Sequence, residues 1–181
     1  MAIITIVGSG MMGSALAFPA RENGNTVRLV GTHLDREIIE ACKKTNRHPK
    51  FKKDFPAGVE YYQIESLDEA LAGADLVIGG VSSFGVEWFG ENVIPHIADG
   101  TKVLTVTKGL QDTPDGRLIP YPYLWKEKVE ALGKRLSLNA VGGPCTSYEL
   151  VAHDQTEVAF CGWNMADLEE IKKLMQTDYY H

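Results

Sequence analysis

Six residues constrain this chain more than any others: Gly8-Ser9-Gly10-Met11-Met12-Gly13. They lie between the β-branched run Ile3-Ile4-Thr5-Ile6-Val7 and a helical pattern that runs from about Met12 to Asn23, with Gly24 behind it as its C′ residue. A short apolar run without polar alternation is the pattern of a strand covered on both faces. Glycine at the first position permits a tight turn, at the third a close approach of the backbone to a bound group, and at the sixth close packing of helix on strand. The unpaired N–H groups of residues 10–13, together with the positive end of the helix dipole, then face outward and favour a phosphate. In its strand–turn–helix setting G-x-G-x-x-G is a dinucleotide fingerprint; without those flanks it would be a glycine-rich connector. Gly8, Ser9, Gly10, Met11, Met12 and Gly13 are therefore the candidate cofactor contacts.

The rest of the chain repeats the alternation. Thr26–Val30 reads as a second strand and 35–44 as a second helix, followed by a polar, basic, proline-broken loop over 46–58. Ser66 and Glu69 have the spacing of a capping box for a short helix ending near Gly73. Leu76–Ile78 and Val103–Val106 are further buried-strand runs with a helix between Phe84 and Ile97. Past a turn-rich stretch at 112–117, Pro120-Tyr121-Pro122 reads as a rigid start to a helix around 124–132. Strands near 136–141 and 157–161 follow, then a helix over 165–175 capped by Asn164. Strands alternating with helices through right-handed crossovers predict a doubly wound α/β domain of Rossmann type over residues 1–181, with a mainly parallel sheet and helices on both faces.

Composition narrows the partners. The net charge of −6 and pI near 5.4 argue against nucleic acid, which is gripped by basic stripes. A phosphorylated small molecule stays compatible, because backbone amides and one lysine suffice to hold it. Cys42, Cys145 and Cys161 are odd in number, widely spaced and form no C-x-x-C, as expected of reduced thiols in a cytoplasmic protein, with Cys161 a packing residue at a strand end. The apolar start is too short for a membrane span. His33, His48, His96, His153 and His181 show no ligand spacing, so no metal is expected; Trp88, Trp125 and Trp163 read as core or cleft wall.

Three further places bear on chemistry. The acid that binds an NAD ribose belongs at the end of the second strand, where this chain reads Val30-Gly31-Thr32-His33. The first acid is Asp35, read as a helix cap, and with Thr32, His33 and Arg36 nearby NAD and NADP both stay open. Thr107-Lys108-Gly109 follows the 103–106 strand, so Lys108 points into the cleft, where it can hold a phosphate or stabilise charge on a carbonyl oxygen. Gly142-Gly143-Pro144-Cys145-Thr146-Ser147-Tyr148-Glu149 ends another strand and starts a helix that Cys145 or Thr146 can cap; Glu149 fits a catalytic acid or, in preference, a first-turn acid favoured by the dipole.

Taken in order, VGSGMMGSALA (7–17), SLDEALAGADLVI (66–78), TVTKGL (105–110), GGPCTSYEL (142–150) and KKLMQT (172–177) resemble the N-terminal half of NAD(P)-dependent glycerol-3-phosphate dehydrogenases, essentially end to end. The resemblance implies interconversion of sn-glycerol 3-phosphate and dihydroxyacetone phosphate, with hydride carried on NAD or NADP. It implies a catalytic and substrate-site role for Lys108, which also borders the cofactor, a substrate contact at Gly143 and cofactor contacts at residues 8–13 and Ser147. The family has Val-Pro-Ser or Val-Pro-His where this chain has Val81-Ser82-Ser83; without the proline that turn is less constrained, and the cofactor contact of Ser83 is carried over on position alone.

Family members continue into a helical substrate domain with a second lysine. Since these 181 residues carry no such domain, we expect coenzyme binding without turnover from them alone. We also expect an apolar face that promotes self-association, the simplest form being a homodimer. A non-catalytic dinucleotide module and a reductase of another small keto or hydroxy acid stay open as alternatives.

Overall fold

In the computed structural model, which describes residues 1–181, the fingerprint joins β1 (Ile3–Val7) to α1 (Met11–Glu22). Then come β2 (Thr26–Val30), α2 (Arg36–Thr45), β3 (Val59–Tyr62), α3 (Leu67–Leu71), β4 (Leu76–Gly79), α4 (Val86–Asn92) and β5 (Lys102–Thr105). A hairpin of β6 (Leu110–Asp112) and β7 (Leu118–Pro120) precedes α5 (Tyr121–Ala131), β8 (Ser137–Gly142), α6 (Ser147–Ala152), β9 (Ala159–Gly162) and α7 (Met165–Met175).

The main sheet runs β3-β2-β1-β4-β5-β8-β9. All its pairings are parallel except the last, where β9 runs against β8. The chain winds outward from β1 through β2 to β3, then returns to place β4 on the other side of β1. Ile6 is thus paired with Leu29 on one side and Ile78 on the other. Such a reversal opens a crevice beyond the carboxyl ends of the two central strands, the place where open α/β sheets bind ligands.

Each face of the sheet is sealed by its own apolar layer. Ile4, Ile6, Leu29 and Leu104 meet α1, α2, α6 and α7, with Leu16, Ile39, Leu150 and Ile171 among their partners. Val7, Val30, Val77 and Val103 meet α3, α4 and α5 through Leu71, Phe89 and Trp125. Burial on both faces is why these strands read as unbroken apolar runs.

Several local expectations need correction. Ser66 stands at the N-cap of α3 but its side chain bonds no amide, because a 3-10 turn at Ile64–Ser66 already leads into the helix. Asp35 stands at the N-cap of α2 and likewise caps nothing there. The caps at Thr146, which accepts from the Glu149 amide, and at Asn164, which accepts from the Ala166 amide at 3.0 Å, are formed. Cys161 is exposed on β9, and Trp163 stands outside the core, edge-on to Tyr123 with Lys126 above its ring. The 46–58 segment is a loop, yet His48, Phe51 and Phe55 are buried in it, the two phenylalanines packing on Phe18 of α1. The sequence pattern predicts neither β3 nor the β6–β7 hairpin. β3 has one buried residue, Val59, and β6 and β7 have none, so neither shows the unbroken apolar run that marks the central strands.

A candidate dinucleotide site

The glycine loop is pressed against the end of β4. Gly8 has φ +110, and a Cβ there would lie 2.7 Å from the Gly80 carbonyl carbon. A Cβ on Gly13 would overlap the Gly8 carbonyl oxygen, and one on Gly80 would lie 2.9 Å from the Gly13 Cα. Three stretches of main chain therefore touch without side chains between them, which seats α1 directly at the mouth of the crevice. Sequence pattern alone does not mark Gly80; its one signal is the Gly79-Gly80 pair closing a strand.

Gly10 is the opposite case, with no atom within 4 Å of where its Cβ would be. Around it, the amides of Gly10, Met11, Met12 and Gly13 have no acceptor in the chain; the first helical bond runs from the Ser14 amide to the Gly10 carbonyl. Open space above a row of unpaired donors at the positive end of a 12-residue helix is an anion cradle, and it fits a pyrophosphate. Ser9 turns inward and is fully buried: its amide donates to Asp35 Oδ2 at 3.2 Å and its carbonyl accepts from Ser14 Oγ at 3.0 Å.

Two clefts flank the loop. One, of about 310 Å³, is walled by Gly8, Gly10, Thr32, Asp35, Ser82 and Trp88, with the His33 ring 5.6 Å from that of Trp88. Asp35 belongs here through its side chain, which accepts from the Thr32 amide and hydroxyl, both at 2.8 Å, and from Ser9. Arg36 turns away and pairs with Glu65. Ser83 stands apart from the loop, in the 3-10 turn Ser83–Gly85, and faces the groove between α4 and α5; its neighbour Ser82 is the serine beside Gly8.

The second cleft, of about 320 Å³, brings together Met11, Met12, Lys108, Cys145, Ser147 and Tyr180. Lys108 reaches across from the end of β5 to donate to the Gly143 carbonyl, so the two turns singled out from the sequence meet here. Gly143 has φ +107, and a Cβ on it would press on the Glu157 carbonyl oxygen at 3.3 Å. Burial pushes the Cys145 thiol up, against the opposing pull of Lys108. Glu149 is held by Thr146 Oγ1, which donates to Oε2 at 2.6 Å, and so serves the turn. No group of three His, Cys, Asp or Glu side chains comes together as a metal site, and no helix is long and apolar enough to cross a membrane.

A parallel sheet with a switch point, an amide cradle on a glycine turn and a cleft on either side define a dinucleotide-binding domain of Rossmann type. Residues 3–167 match the family described as NAD-dependent glycerol-3-phosphate dehydrogenase N-terminus, and the chain belongs to that family. It is 32% identical over 178 residues to the NADP(+)-dependent glycerol-3-phosphate dehydrogenase of Archaeoglobus fulgidus, covering 98% of this chain and 52% of that protein. It is 25% identical to the glycerol-3-phosphate dehydrogenase [NAD(P)+] of Enterococcus faecalis, over 98% of this chain and 50% of that one. The crystal structure of glycerol-3-phosphate dehydrogenase from Coxiella burnetii superposes on 99% of this chain and 52% of its own with a TM-score of 0.82 at 21% identity, a likeness of fold. The chain thus spans about half the length of the curated relatives it matches.

Proposed function

We propose that this chain is the coenzyme-binding half of an enzyme that interconverts sn-glycerol 3-phosphate and dihydroxyacetone phosphate. The observation that carries the reading is the placement of Lys108 beside Met11 and Met12 in one cleft, tied to Gly143, with the open amides of the glycine loop at its edge. The amides of Gly10–Gly13 would hold the pyrophosphate of NAD or NADP. The Thr32–Asp35–Trp88 cleft would take the adenosine end, and the Lys108 cleft the nicotinamide end, bordered by Ser147.

The coenzyme, when bound, supplies or accepts the hydride. What the chain's own residues do is electrostatic. Lys108 presents a fixed positive charge where a substrate phosphate or the carbonyl oxygen of dihydroxyacetone phosphate would sit, and stabilises negative charge as it forms on that oxygen. Gly143, whose carbonyl already holds Lys108, keeps that ammonium from swinging into solvent. Met11, Met12 and Tyr180 narrow the access of water. The spaced cysteines fit a cytoplasmic setting, and the exposed Phe84, Leu110 and Leu118 support self-association.

The test is a titration of the chain with NADH and NADPH followed by nicotinamide fluorescence. Saturable binding is expected, with reduction of dihydroxyacetone phosphate requiring the helical domain of the family. Absence of binding would remove the reading. Binding together with unaided turnover would remove its second half. In a protein that carries both halves, Lys108→Ala is expected to lower kcat/KM for dihydroxyacetone phosphate at least about 100-fold, as loss of one preorganised charge-stabilising group does. Wild-type turnover and KM in that variant would count against the role given to Lys108.

A further inference from the structure

The turns after β1 and β2 lie side by side at the crevice, yet their main chains separate early. The Gly8 amide donates to the Val30 carbonyl at 2.9 Å, and beyond that pair no main-chain bond joins residues 9–13 to residues 31–35. A single oxygen spans the gap. Asp35 Oδ2 accepts from the Ser9 amide at 3.2 Å on one side, and from the Thr32 amide and hydroxyl, both at 2.8 Å, on the other. Thr32 Oγ1 in turn accepts from the Leu34 amide at 3.3 Å, which closes the second turn on itself. Arg36 pairs with Glu65 and leaves the carboxylate to these donors.

In the general pattern an acid at the end of the second strand takes the ribose hydroxyls of the coenzyme. Asp35 lies five residues past Val30, at the N-cap of α2, and its Oδ2 is already held by three donors of the chain. Ser9 directly precedes the open amides of Gly10–Gly13, so fixing its amide fixes where that row begins. Its carbonyl is held from the other side by Ser14 Oγ at 3.0 Å. Both ends of the Ser9 peptide unit are thus tied, one to α1 and one across to the turn after β2.

We propose that Asp35 is a positioning residue for the dinucleotide: it locks the phosphate loop to the turn at the adenosine end, and acts on the coenzyme through Ser9 and Thr32 instead of by touching the ribose. This role rests on the coenzyme reading, but its first test needs no coenzyme. Asp35→Ala removes the acceptor. Asp35→Asn removes the charge but offers a carbonyl oxygen where Oδ2 sits. Both substitutions discard the carboxylate, so a difference between them reports the bridge and not repulsion of the phosphates.

The Ser9 and Thr32 amides have Asp35 Oδ2 as their acceptor, which slows their hydrogen exchange in the ligand-free chain. In Asp35→Ala exchange of both is expected to accelerate about 10- to 150-fold, the span of one hydrogen bond to a carboxylate. Exchange in β5 and β8 should stay as in wild type, and Asp35→Asn should win back at least about 3-fold, as an ordinary hydrogen bond does. Inorganic pyrophosphate, which has no ribose, is the discriminating ligand. Measured by displacement of NADH, it should bind about 3- to 10-fold more weakly to Asp35→Ala than to Asp35→Asn, and NADH and NADPH should differ between the variants by the same factor. Unchanged exchange at Ser9 and Thr32 in Asp35→Ala would overturn the proposal. So would a uniform rise across the sheet, which marks a residue that holds the fold and not the loop. Equal pyrophosphate binding by the two variants would overturn it too, because a ribose contact changes NADH alone. If exchange responds as expected but the wild-type chain binds neither NADH nor NADPH, the coenzyme reading fails and the bridge between the two turns stands.

Discussion

Gly10 and Gly13 sit three residues apart in one motif, and their substitution by alanine should have opposite consequences. At Gly13 the new methyl overlaps the Gly8 carbonyl oxygen and lies 3.3 Å from Gly80 Cα. Both are main chain in or beside a buried sheet, so neither can move aside cheaply. Overpacking of this kind costs about 1–3 kcal/mol, which for a chain of this length lowers Tm by about 2–12 °C. At Gly10 the methyl meets nothing within 4 Å, and φ −61 with ψ 177 suits alanine.

Two small effects nearly cancel at Gly10. Restricting the unfolded chain stabilises by about 0.4–1 kcal/mol, and alanine is a poorer N-cap by a comparable amount. Tm should stay within about 2 °C of wild type. Binding should not survive as well, because the methyl occupies the space a pyrophosphate needs. The same 1–3 kcal/mol, now charged to the complex, weakens NADH by about 5- to 150-fold. Thermal unfolding by circular dichroism and NADH fluorescence titration on the two variants decide the matter. If Gly10→Ala binds NADH as wild type does, no phosphate lies over that residue. Should Gly13→Ala melt at the wild-type temperature, the close contact of α1 with β1 and β4 does not constrain the fold as argued.

Two other predictions concern stability. Trp125 is buried, stacked on Phe89 at 4.5 Å and donating to the Val86 carbonyl at 2.9 Å. Trp125→Ala should cost about 3–5 kcal/mol, read as a drop in Tm of about 6–20 °C, and a shift under about 2 °C would show that α4 and α5 repack freely. Burial, the largest influence on His48, lowers its pKa from the ordinary value near 6.5. The unfolded chain then takes up the proton more readily, so stability that is full above about pH 6.5 is lost as pH falls through the depressed folded value. Urea midpoints at pH 7.0 and 5.5 should differ more for wild type than for His48→Phe, and equal differences would place the pH dependence elsewhere.

Much of the fold could be read from patterns because each pattern answers to one local cause. Doubly buried strands must be apolar along their whole length, so β1, β4 and β5 stand out. Helix ends are marked by caps, and Asn164 is read directly. Edge elements have no such obligation. β3 is paired on one side only, and β6–β7 form a separate two-stranded ribbon with Leu110 and Leu118 exposed, so neither carries a burial signal. Asp35 shows where a spacing rule misleads. It occupies the N-cap position, but its carboxylate finds the stronger set of donors in Thr32 and Ser9.

The amino-acid order by itself determined the strand–glycine–helix unit, the doubly wound class and the family resemblance, since these depend on residues adjacent in the chain or repeated at a fixed period. Tertiary structure decided which distant groups share a site: Lys108 with Gly143, Gly80 against Gly8 and Gly13, and Ser82 in place of Ser83 beside the loop. Those meetings depend on strand order and crossover direction, which bring the carboxyl ends of β1, β2, β4, β5 and β8 to one edge of the sheet. No single segment encodes that edge.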